Sequence, residues 1–502
     1  MRYFSCLFFF LLFVVACRRQ PTLVIQTNDP LIAVDSLNRQ IQIDLERKGS
    51  ADLSQWNEHQ LWSAIAHADS IVAIGYQPLG FLATSNWIST IDLSAASWKQ
   101  ARQQVIGLLA NELNASRIIW VEDRLPVILL RLSSKTQLQR LRRSPYVRYI
   151  EPVSYDHNLV RDGVQLESSS GCGSNTPDYG IQLGTHYSSI APAAKLSWNY
   201  AGHGIPQAWA RTTGRGIKVF VIDSGCSWAQ DNLGISFNSG ASYGRTLERI
   251  VTLPQDTWMG FSFGNPETSN DGCGHGTSMA GVIAAPRCSD GNAVGIAYNC
   301  NLVTCRAATD VFLDEAREVK GVVDAFTNAA NRSDVRIISM SMGRITSSSY
   351  MVDAIRYAYG KGKLIFTAAG TSFGWTSGWA GVIFPARMPE IQAVTGVKDL
   401  SALSACAVCH TGQEVDFVVT MERNADGDHP LTVADSGDWP SSVGGSSVAT
   451  ASMAGMAALL WSRYPTFSRD QIIVRLQQSS SLYPYKNAQF GWGRVNVDLA
   501  TQ

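Results

Sequence analysis

The chain has 502 residues, which is enough for two or three domains and a sizeable hydrophobic core. Its 41 Lys and Arg residues balance its 41 Asp and Glu residues, so the formal net charge is zero. The lack of a basic excess argues against nucleic acid as a partner, because nucleic-acid binding favours a strongly basic face.

The chain begins with an apolar segment, MRYFSCLFFFLLFVVAC, in which a basic residue precedes an uncharged run from Leu7 to Ala16. The run is too short to span a bilayer comfortably, so we interpret residues 1–16 as an export signal. Its end resembles the lipobox of bacterial lipoproteins. The resemblance implies cleavage before Cys17 and a diacylglycerol on its thiol, hence a lipid anchor in the cell envelope. The alternative is a plain signal peptide followed by an incidental cysteine.

Eight cysteines remain when Cys6 and Cys17 are set aside. They are Cys172, Cys226, Cys273, Cys288, Cys300, Cys305, Cys406 and Cys409. An even number in an exported chain suggests disulfides, but eight cysteines allow about 105 pairings and the sequence does not distinguish them. For Cys406-Ala-Val-Cys409 we favour a tight-loop disulfide over a redox pair or half of a zinc site, because no second C-x-x-C motif is present.

The N-terminal part of the chain divides into an extension and a small domain. Residues 17–69 are polar and mixed, and no structure is predicted for them. Residues 70–155 show strand and helix patterns in the order βαββαβ, which is typical of a ferredoxin-like α+β domain. The strands are predicted at 70–77, 117–122, 126–132 and 146–153, and the helices at 97–113 and 134–144. A loop rich in Ser, Gly and Asn at 167–180 indicates a linker within 156–194.

In residues 195–502, helical patterns alternate with short β-branched runs that predict strands buried on both faces. The strands are predicted at 216–225, 301–307, 335–343, 363–370 and 391–397, and one clear helix at 314–332. This alternation predicts an α/β domain with a mostly parallel sheet and helices on both faces. Ligands bind such sheets where the carboxyl ends of the strands meet the following loops.

Three short motifs fall in places that suit a ligand site. Asp223 closes the buried strand IKVFVID, His275 stands between two glycines in DGCGHGTSMAGVIAA, and Ser447 begins an apolar helix in GGSSVATASMAG. Each motif alone has a structural explanation: a turn cap, a structural histidine, or small residues that allow close helix packing. Together they run in the chain order Asp, His, Ser that is found in subtilisin.

Residues 195–502 resemble the subtilisin-like serine peptidases (subtilases), because VIDSG, GHGTSMAG and GSSVA match that family's three motifs in order and context. The resemblance implies a serine endopeptidase that acts on polypeptides through an acyl-enzyme. Ser447 would be the nucleophile, His275 its base, and Asp223 the residue that orients the imidazole. The glycines before Ser447 would admit the substrate backbone, and the helix start favours developing negative charge.

The same resemblance assigns a substrate cleft and a metal expectation. Ser341, Met342 and Gly343 would pair with the substrate backbone in β fashion. No cofactor is expected for catalysis. Many subtilases bind structural calcium, and the loop CSDGNAVG at 288–295 is a candidate position, although no ligand set follows from its sequence.

One position departs from the family pattern. Subtilases carry the sequence AAGN, whose asparagine donates a hydrogen bond to the oxyanion, whereas this chain has TAAGTSFG with Thr371 at that place. Loss of that donor costs about 10²–10³ in rate, as substitution of this asparagine in a subtilisin shows. Thr371 could donate directly, a water or Ser372 could substitute, or catalysis is weak. We favour retained activity, because all three candidate catalytic residues are kept.

The segment PVILLRLSSKTQLQRLRRSPYVRYIEPV (126–153) resembles the ferredoxin-like propeptides of subtilases, which assist folding and occupy the cleft until they are cut off. This implies that 70–155 is a propeptide and that the chain cuts itself within 154–180. Such a cut would separate the lipid on Cys17 from the catalytic domain and release the enzyme.

The leading hypothesis is therefore an exported or lipid-anchored serine endopeptidase. One alternative is a catalytically weak or inactive subtilase scaffold that binds peptides as a lipoprotein, which only Thr371 favours. Another is a transpeptidase, which would transfer the acyl group to an amine instead of water.

Overall fold

The computed structural model describes residues 30–109, 118–155, 171–172, 175–258, 261–262, 266–372 and 381–502, and it describes residues 257–258 and 261–262 by their backbone alone. The predicted signal peptide and Cys17 lie outside these residues, as does part of the predicted linker. Among the helices that are described, none is both long and apolar enough to cross a bilayer.

The N-terminal unit, residues 30–155, is built around a four-stranded antiparallel sheet. Its elements are α1 (Val34–Lys48), α2 (Glu58–His67), β1 (Ile71–Tyr76), α3 (Ala96–Gly107), β2 (Ile118–Val121), β3 (Val127–Arg131), α4 (Lys135–Arg142) and β4 (Val147–Pro152). From β1 onwards the elements follow the predicted order, and the strands are arranged β2-β3-β1-β4 across the sheet.

Two helices lie in the extension, where the sequence predicts no structure. Leu37, Ile41 and Leu45 are four residues apart in α1, so they share one face and are buried in the same core as Val72 and Ile74 of β1. The polar residues between them make α1 strongly polar on average, which obscures the apolar stripe in the sequence.

The C-terminal unit, residues 175–502, contains the larger sheet. Its first elements are β5 (Tyr187–Ile190), β6 (Ala194–Ser197), α5 (Ile205–Ala208), β7 (Lys218–Asp223), β8 (Leu247–Val251), β9 (Thr257–Trp258), β10 (Phe261–Ser262), α6 (His275–Ala284), β11 (Asn301–Arg306) and α7 (Ala316–Asn331). They are followed by β12 (Val335–Met340), α8 (Ser349–Gly360), β13 (Leu364–Ala368), β14 (Gln392–Lys398), β15 (Val415–Glu422), β16 (Leu431–Val433), β17 (Pro440–Ser442), α9 (Gly445–Arg463), α10 (Arg469–Gln478) and α11 (Val497–Ala500).

Seven strands form a parallel sheet in the order β15-β14-β13-β12-β7-β11-β8. Side chains of β7 alternate between its faces: Val219 and Val221 pack with α6 and α9, whereas Phe220 and Ile222 pack with α7 and α8. The predicted α/β fold with helices on both faces is confirmed. The two edge strands, β8 and β15, are absent from the sequence prediction; β8 carries two charged residues among its five and is half-exposed along its length.

The sheet of the N-terminal unit packs on the α7 and α8 side of the larger sheet. Ala73 of β1 and Val127 of β3 share a core with Tyr350 and Ala354 of α8. The opposite face of β1 belongs to the core that contains α1 and α2. The central strands β1 and β3 are therefore covered on both faces.

The cysteines differ in part from the expectation of a disulfide-bonded set. Cys172–Cys273 and Cys406–Cys409 are disulfides, and the second confirms the predicted tight loop. The other four are free thiols in the buried core: Cys226, Cys288, Cys300 and Cys305. Burial raises the pKa of the Cys226 thiol to about 11 and those of the other three to about 12. These four act as small apolar side chains rather than as cross-links.

Candidate active site

The three residues that the sequence predicts as catalytic stand at the ends of strands and helices. Asp223 is the last residue of β7, His275 is the first residue of α6, and Ser447 is the third residue of α9. Such positions, outside the carboxyl ends of parallel strands, are where open α/β sheets bind ligands.

Asp223 and His275 are in direct contact. The Nδ1 atom of His275 is 2.7 Å from Oδ1 of Asp223, and both side chains are buried. The same carboxylate oxygen accepts a hydrogen bond from the backbone N–H of Ser224 at 2.9 Å. A Cβ at Gly276 would lie 2.3 Å from the carbonyl oxygen of Gly225, so only glycine allows α6 to start this close to β7. Because the bond to Asp223 uses Nδ1 of His275, the Nε2 atom remains for a second partner.

Asp271 holds the turn that precedes His275. Its carboxylate accepts hydrogen bonds from the backbone N–H groups of Gly274 at 2.7 Å and Thr277 at 2.8 Å. It also accepts a hydrogen bond at 2.9 Å from the hydroxyl of Ser224, the residue that follows the end of β7. Asp271 therefore ties the start of α6 to the strand that carries the aspartate partner of His275.

Nearby carboxylates determine the charge balance at His275. Burial lowers the pKa of His275, but the charge and hydrogen bond of Asp223 raise it, and Asp271 and Asp310 add to the increase, so the pKa lies above its ordinary value. Burial raises the pKa of Asp310 to about 6. The surroundings thus stabilise a positively charged imidazolium.

Ser447 is bonded to the neighbouring strand end. Its hydroxyl donates to the backbone carbonyl of Ser341 at 3.3 Å, and the hydroxyl of Ser341 donates to the carbonyl of Ser447 at 3.0 Å. Within the described part of the chain, no hydrogen bond joins Ser447 to His275. The backbone N–H of Ser447 lies in the first turn of α9, where such groups have no partner within the helix.

Thr371 faces the same helix start. Its Oγ1 atom is 2.8 Å from Oγ of Ser446 and accepts a hydrogen bond from the backbone N–H of Ser446 at 3.3 Å. Gly445 has φ +84°, and a Cβ there would approach Thr371 Oγ1 to 3.1 Å. The threonine hydroxyl therefore contacts the residue immediately before Ser447.

One open pocket contains five of the predicted site residues. They are Ser341, Met342, Gly343, Thr371 and Ser447. The other lining residues are Ser446, Gly370, His410 and a group of apolar residues, Val311, Phe312, Ile345, Ala368 and Ile383. The structure thus brings the predicted substrate-binding residues together with the predicted nucleophile.

Gly343 is already paired within the chain. Its N–H donates to the carbonyl of Val311 at 3.2 Å, and its own carbonyl accepts from the N–H of Leu313 at 3.0 Å. A peptide strand that enters the pocket would have to use other backbone groups of residues 341–343 or displace this pairing.

Four residues of the site have no role in the sequence prediction: Asp271, Asp310, Ser446 and His410. Asp271 stands four residues before His275 in the same glycine-rich motif, so its position could have suggested a cap. Ser446 adjoins the predicted nucleophile. Asp310 and His410 lie in loops with no motif, and only the fold brings them to the site.

A lysine side chain contacts the loop 288–295, which the sequence suggests as a candidate calcium position. The ammonium group of Lys195 donates to the carbonyl oxygen of Gly291 and lies 4.3 Å from the ring centre of Trp439. Among the residues that the structure describes, no group of three or more His, Cys, Asp or Glu side chains could hold a metal. Because the positively charged Lys195 ammonium is bonded to the carbonyl oxygen of Gly291, the same oxygen does not fit a divalent cation.

The C-terminal unit thus combines a seven-stranded parallel α/β sheet with a buried Asp–His pair at the end of β7 and a serine in the first turn of α9. The chain belongs to the Subtilase family, whose sequence model matches residues 214–493. It is a serine-type endopeptidase, and its substrates are polypeptides.

The chain is also similar to individual proteins of known sequence or structure. The chain is 29% identical to Subtilisin E from Bacillus subtilis (strain 168) over 291 residues, which cover 58% of this chain and 67% of the relative. It is 31% identical to Alkaline elastase YaB from Bacillus sp. (strain YaB) over 293 residues, covering 58% and 66%. A similar solved structure is MycP1 from Mycobacterium smegmatis, with 19% identity, a TM-score of 0.48 and coverage of 66% of this chain and 88% of that one.

Proposed function

We propose that the peptidase works through an acyl-enzyme on Ser447. His275 Nε2 takes the Ser447 proton as Oγ bonds to the scissile carbonyl carbon, and the imidazolium then protonates the leaving amine. Water then attacks the acyl carbonyl carbon while His275 takes a proton from it, and the imidazolium returns a proton to Ser447 Oγ as the acyl group leaves. Asp223 keeps the imidazole oriented through its 2.7 Å bond to Nδ1, and this bond is the observation that carries the proposal. Before attack, the Ser447 hydroxyl turns from Ser341 to His275, since catalytic hydrogen bonds often form only with substrate bound.

Thr371 and the backbone N–H of Ser447 stabilise the oxyanion in this mechanism. Support comes from the pocket that both residues line and from the 2.8 Å contact between the hydroxyls of Thr371 and Ser446. A preorganised donor at that point acts where negative charge develops.

The strand end Ser341-Met342-Gly343 binds the substrate backbone. It borders the pocket beside Ser447, and the apolar lining suits an uncharged side chain of the substrate. The pairing of Gly343 with Val311 would open or shift when a peptide strand adds here.

The N-terminal unit acts as a propeptide that holds the enzyme inactive. Its Glu151 carboxylate accepts hydrogen bonds from the backbone N–H groups of Ser349 at 2.7 Å and Tyr350 at 3.0 Å, at the start of α8. A carboxylate at a helix start makes charge-assisted bonds to N–H groups that have no partner within the helix. Arg148 pairs with Asp353 in the first turns of the same helix.

Self-processing separates the two units. Tyr155 is buried in the core of the N-terminal unit, whereas a Cβ at Gly171 would lie 2.8 Å from the side chain of Val311, beside the pocket. A cut in the interval 156–170 would therefore leave Tyr155 with the N-terminal unit and Gly171 with the C-terminal unit.

The precursor is exported, and Cys17 anchors it by a lipid until processing releases the enzyme. Support comes from the apolar segment before Cys17 and from the disulfides Cys172–Cys273 and Cys406–Cys409, which suit an oxidising compartment. Metabolic labelling with a fatty acid tests this: label is expected on the full-length product and not on the processed enzyme. Label on the processed enzyme would contradict it.

A peptide-binding lipoprotein without catalysis is the second candidate, and Thr371 in place of the usual asparagine favours it. Mass spectrometry after treatment with a fluorophosphonate separates the two. For the peptidase we expect one adduct, on Ser447, with an N-terminus trimmed to the 156–171 region, and neither change in Ser447→Ala. An unlabelled Ser447 in folded, untrimmed protein would support the binding scaffold instead.

A further inference from the structure

His410 borders the active-site pocket but has no part in the proposed mechanism. It directly follows the disulfide loop Cys406–Cys409 and lines the same pocket as Thr371 and Ser447. The residue is 2% exposed. Burial lowers the pKa of His410 to about 4, so its imidazole is uncharged at neutral pH.

The imidazole lies against the turn Gly370–Ser372, which we call the oxyanion turn. Its Nε2 atom is 2.9 Å from the hydroxyl of Ser372, and the backbone N–H of His410 donates to the carbonyl of Gly370 at 3.0 Å. Gly370 has φ +127°, and a Cβ there would lie 2.4 Å from Nδ1 of the ring. The ring therefore supports the turn on both sides of Thr371.

The loop that carries His410 is itself anchored. The hydroxyl of Thr395 in β14 donates to the carbonyl of His410 at 2.6 Å, and the N–H of Ser372 donates to the carbonyl of Val408 at 2.6 Å. The oxyanion turn is thus fixed to the parallel sheet through this loop.

On its other side the oxyanion turn meets α9. The hydroxyl of Thr371 contacts that of Ser446 at 2.8 Å, next to the backbone N–H of Ser447. Since a misplacement of about 1 Å can cost about 10²-fold in rate, the position of this turn decides how well Thr371 reaches the oxyanion.

We propose that His410 is a positioning residue for the oxyanion side of the active site. Acting through Gly370 and Ser372, it holds the turn so that the shorter side chain of Thr371 faces the start of α9. The inference rests on the proposed function, in which Thr371 serves the oxyanion.

The test compares His410→Ala and His410→Gln in the full chain, with kcat and KM measured on a chromogenic peptide and active sites counted with a fluorophosphonate. For His410→Ala we expect kcat to fall about tenfold and KM to change by less than about twofold, because the loss concerns the transition state. His410→Gln keeps a hydrogen-bonding group near the Nε2 position, so we expect it to recover most of kcat.

Two further variants separate positioning from stability. His203 is a second buried histidine, whose pKa burial also lowers to about 4, and it bonds to the carbonyl of Val495 at 2.8 Å rather than to the pocket. We expect His203→Gln to lower Tm without changing kcat per titrated site. Ser372→Ala removes only the hydroxyl partner, and its effect on kcat should not add to that of His410→Ala.

Unchanged kcat in His410→Ala, or an equal kcat loss in His203→Gln, would overturn the proposal. So would a change in KM alone, which would assign the ring to substrate binding. If His410→Ala does not fold, Ser372→Ala decides by the same criteria. Failure of the proposed function differs from all of these, because Ser447 would then remain unlabelled in the wild type.

Discussion

The Nδ1 atom of His275 lies 2.7 Å from the carboxylate of Asp223, although 52 positions separate the two residues in the chain. The contact forms because β7 ends and α6 begins at the same edge of the parallel sheet. Both residues are buried, so their interaction is little screened by solvent and raises the pKa of His275.

The first prediction concerns Asp310 and the pH dependence of activity. The base must be uncharged, so kcat/KM rises with pH through the pKa of His275. Above pH about 6, where Asp310 is charged, its carboxylate stabilises the imidazolium and moves that rise to higher pH. In Asp310→Asn we expect the rise to move to lower pH by about half a unit, the effect of one partly screened charge.

The measurement is kcat/KM between pH 5 and 9 at constant ionic strength. Asp334→Asn is the matched control, because Asp334 pairs with Lys218 at the opposite end of β7. An unshifted profile in Asp310→Asn, or the same shift in the control, would contradict the assignment.

The second prediction concerns Thr371. We expect Thr371→Ala to lower kcat about 10-fold to 100-fold, because it removes a hydroxyl donor. Thr371→Ser keeps the hydroxyl and should stay within a few-fold of the wild type. Thr371→Asn introduces the family's usual donor and should equal or exceed wild-type kcat. Steady-state kinetics per titrated active site decide, and wild-type kcat in Thr371→Ala would show that another group serves the oxyanion.

The third prediction concerns the cut and the disulfide Cys172–Cys273. If the chain is cut within 156–170, both cysteines stay in the mature enzyme, and the two fragments separate on a non-reducing gel. A cut after Cys172 would keep the fragments joined until a reductant is added. We expect the first pattern, with N-terminal sequencing to locate the cut; fragments that separate only after reduction would contradict it.

The fourth prediction concerns Glu151 as a cap of α8. Glu151→Ala leaves the N–H groups of Ser349 and Tyr350 without their carboxylate, so we expect the N-terminal unit to bind about tenfold to 100-fold more weakly. The lag before activity appears during processing should shorten accordingly. Glu46→Ala changes an exposed residue of α1 and serves as the control. Equal lag times for the two variants would argue against the cap.

The fifth prediction concerns Lys195 in the loop 288–295. Lys195→Met removes the ammonium that bonds to the Gly291 carbonyl, and the free energy of unfolding should fall by about 1–3 kcal/mol. Lys361→Met changes an exposed lysine of the C-terminal unit, just after α8, and should have little effect. Thermal unfolding with and without a chelator provides the readout. A cation at this loop would instead make the wild type sensitive to the chelator and Lys195→Met nearly neutral.

The sequence predicts the central strands of the large sheet well and its margins poorly. Strands such as β7 are buried on both faces, so their residues form continuous apolar runs that stand out from the surrounding sequence. Edge strand β8 has no fully buried residue and carries two charged ones, and helix α1 carries polar residues between its buried ones, because one side of each faces solvent. The pattern that marks them is therefore weaker.

The sequence also could not predict which cysteines are free. Even numbers suggest pairs, yet Cys226 and Cys300 are buried thiols, since pairing depends on which side chains the fold brings within bonding distance. Sequence separation carries no such information: the two disulfides span 101 and 3 positions.

The sequence by itself determined the subtilase membership and the identities of Asp223, His275, Ser447 and Thr371 as candidates, because each lies in a short motif whose residue types reflect local chemistry. Only the tertiary structure decided which groups surround them: the charge of Asp310 acts on His275, Ser446 contacts Thr371, and His410 contacts Ser372 of the oxyanion turn. Those contacts join loops that are distant in the chain, and no local pattern encodes them. The strand order and helix packing of the large sheet bring them together.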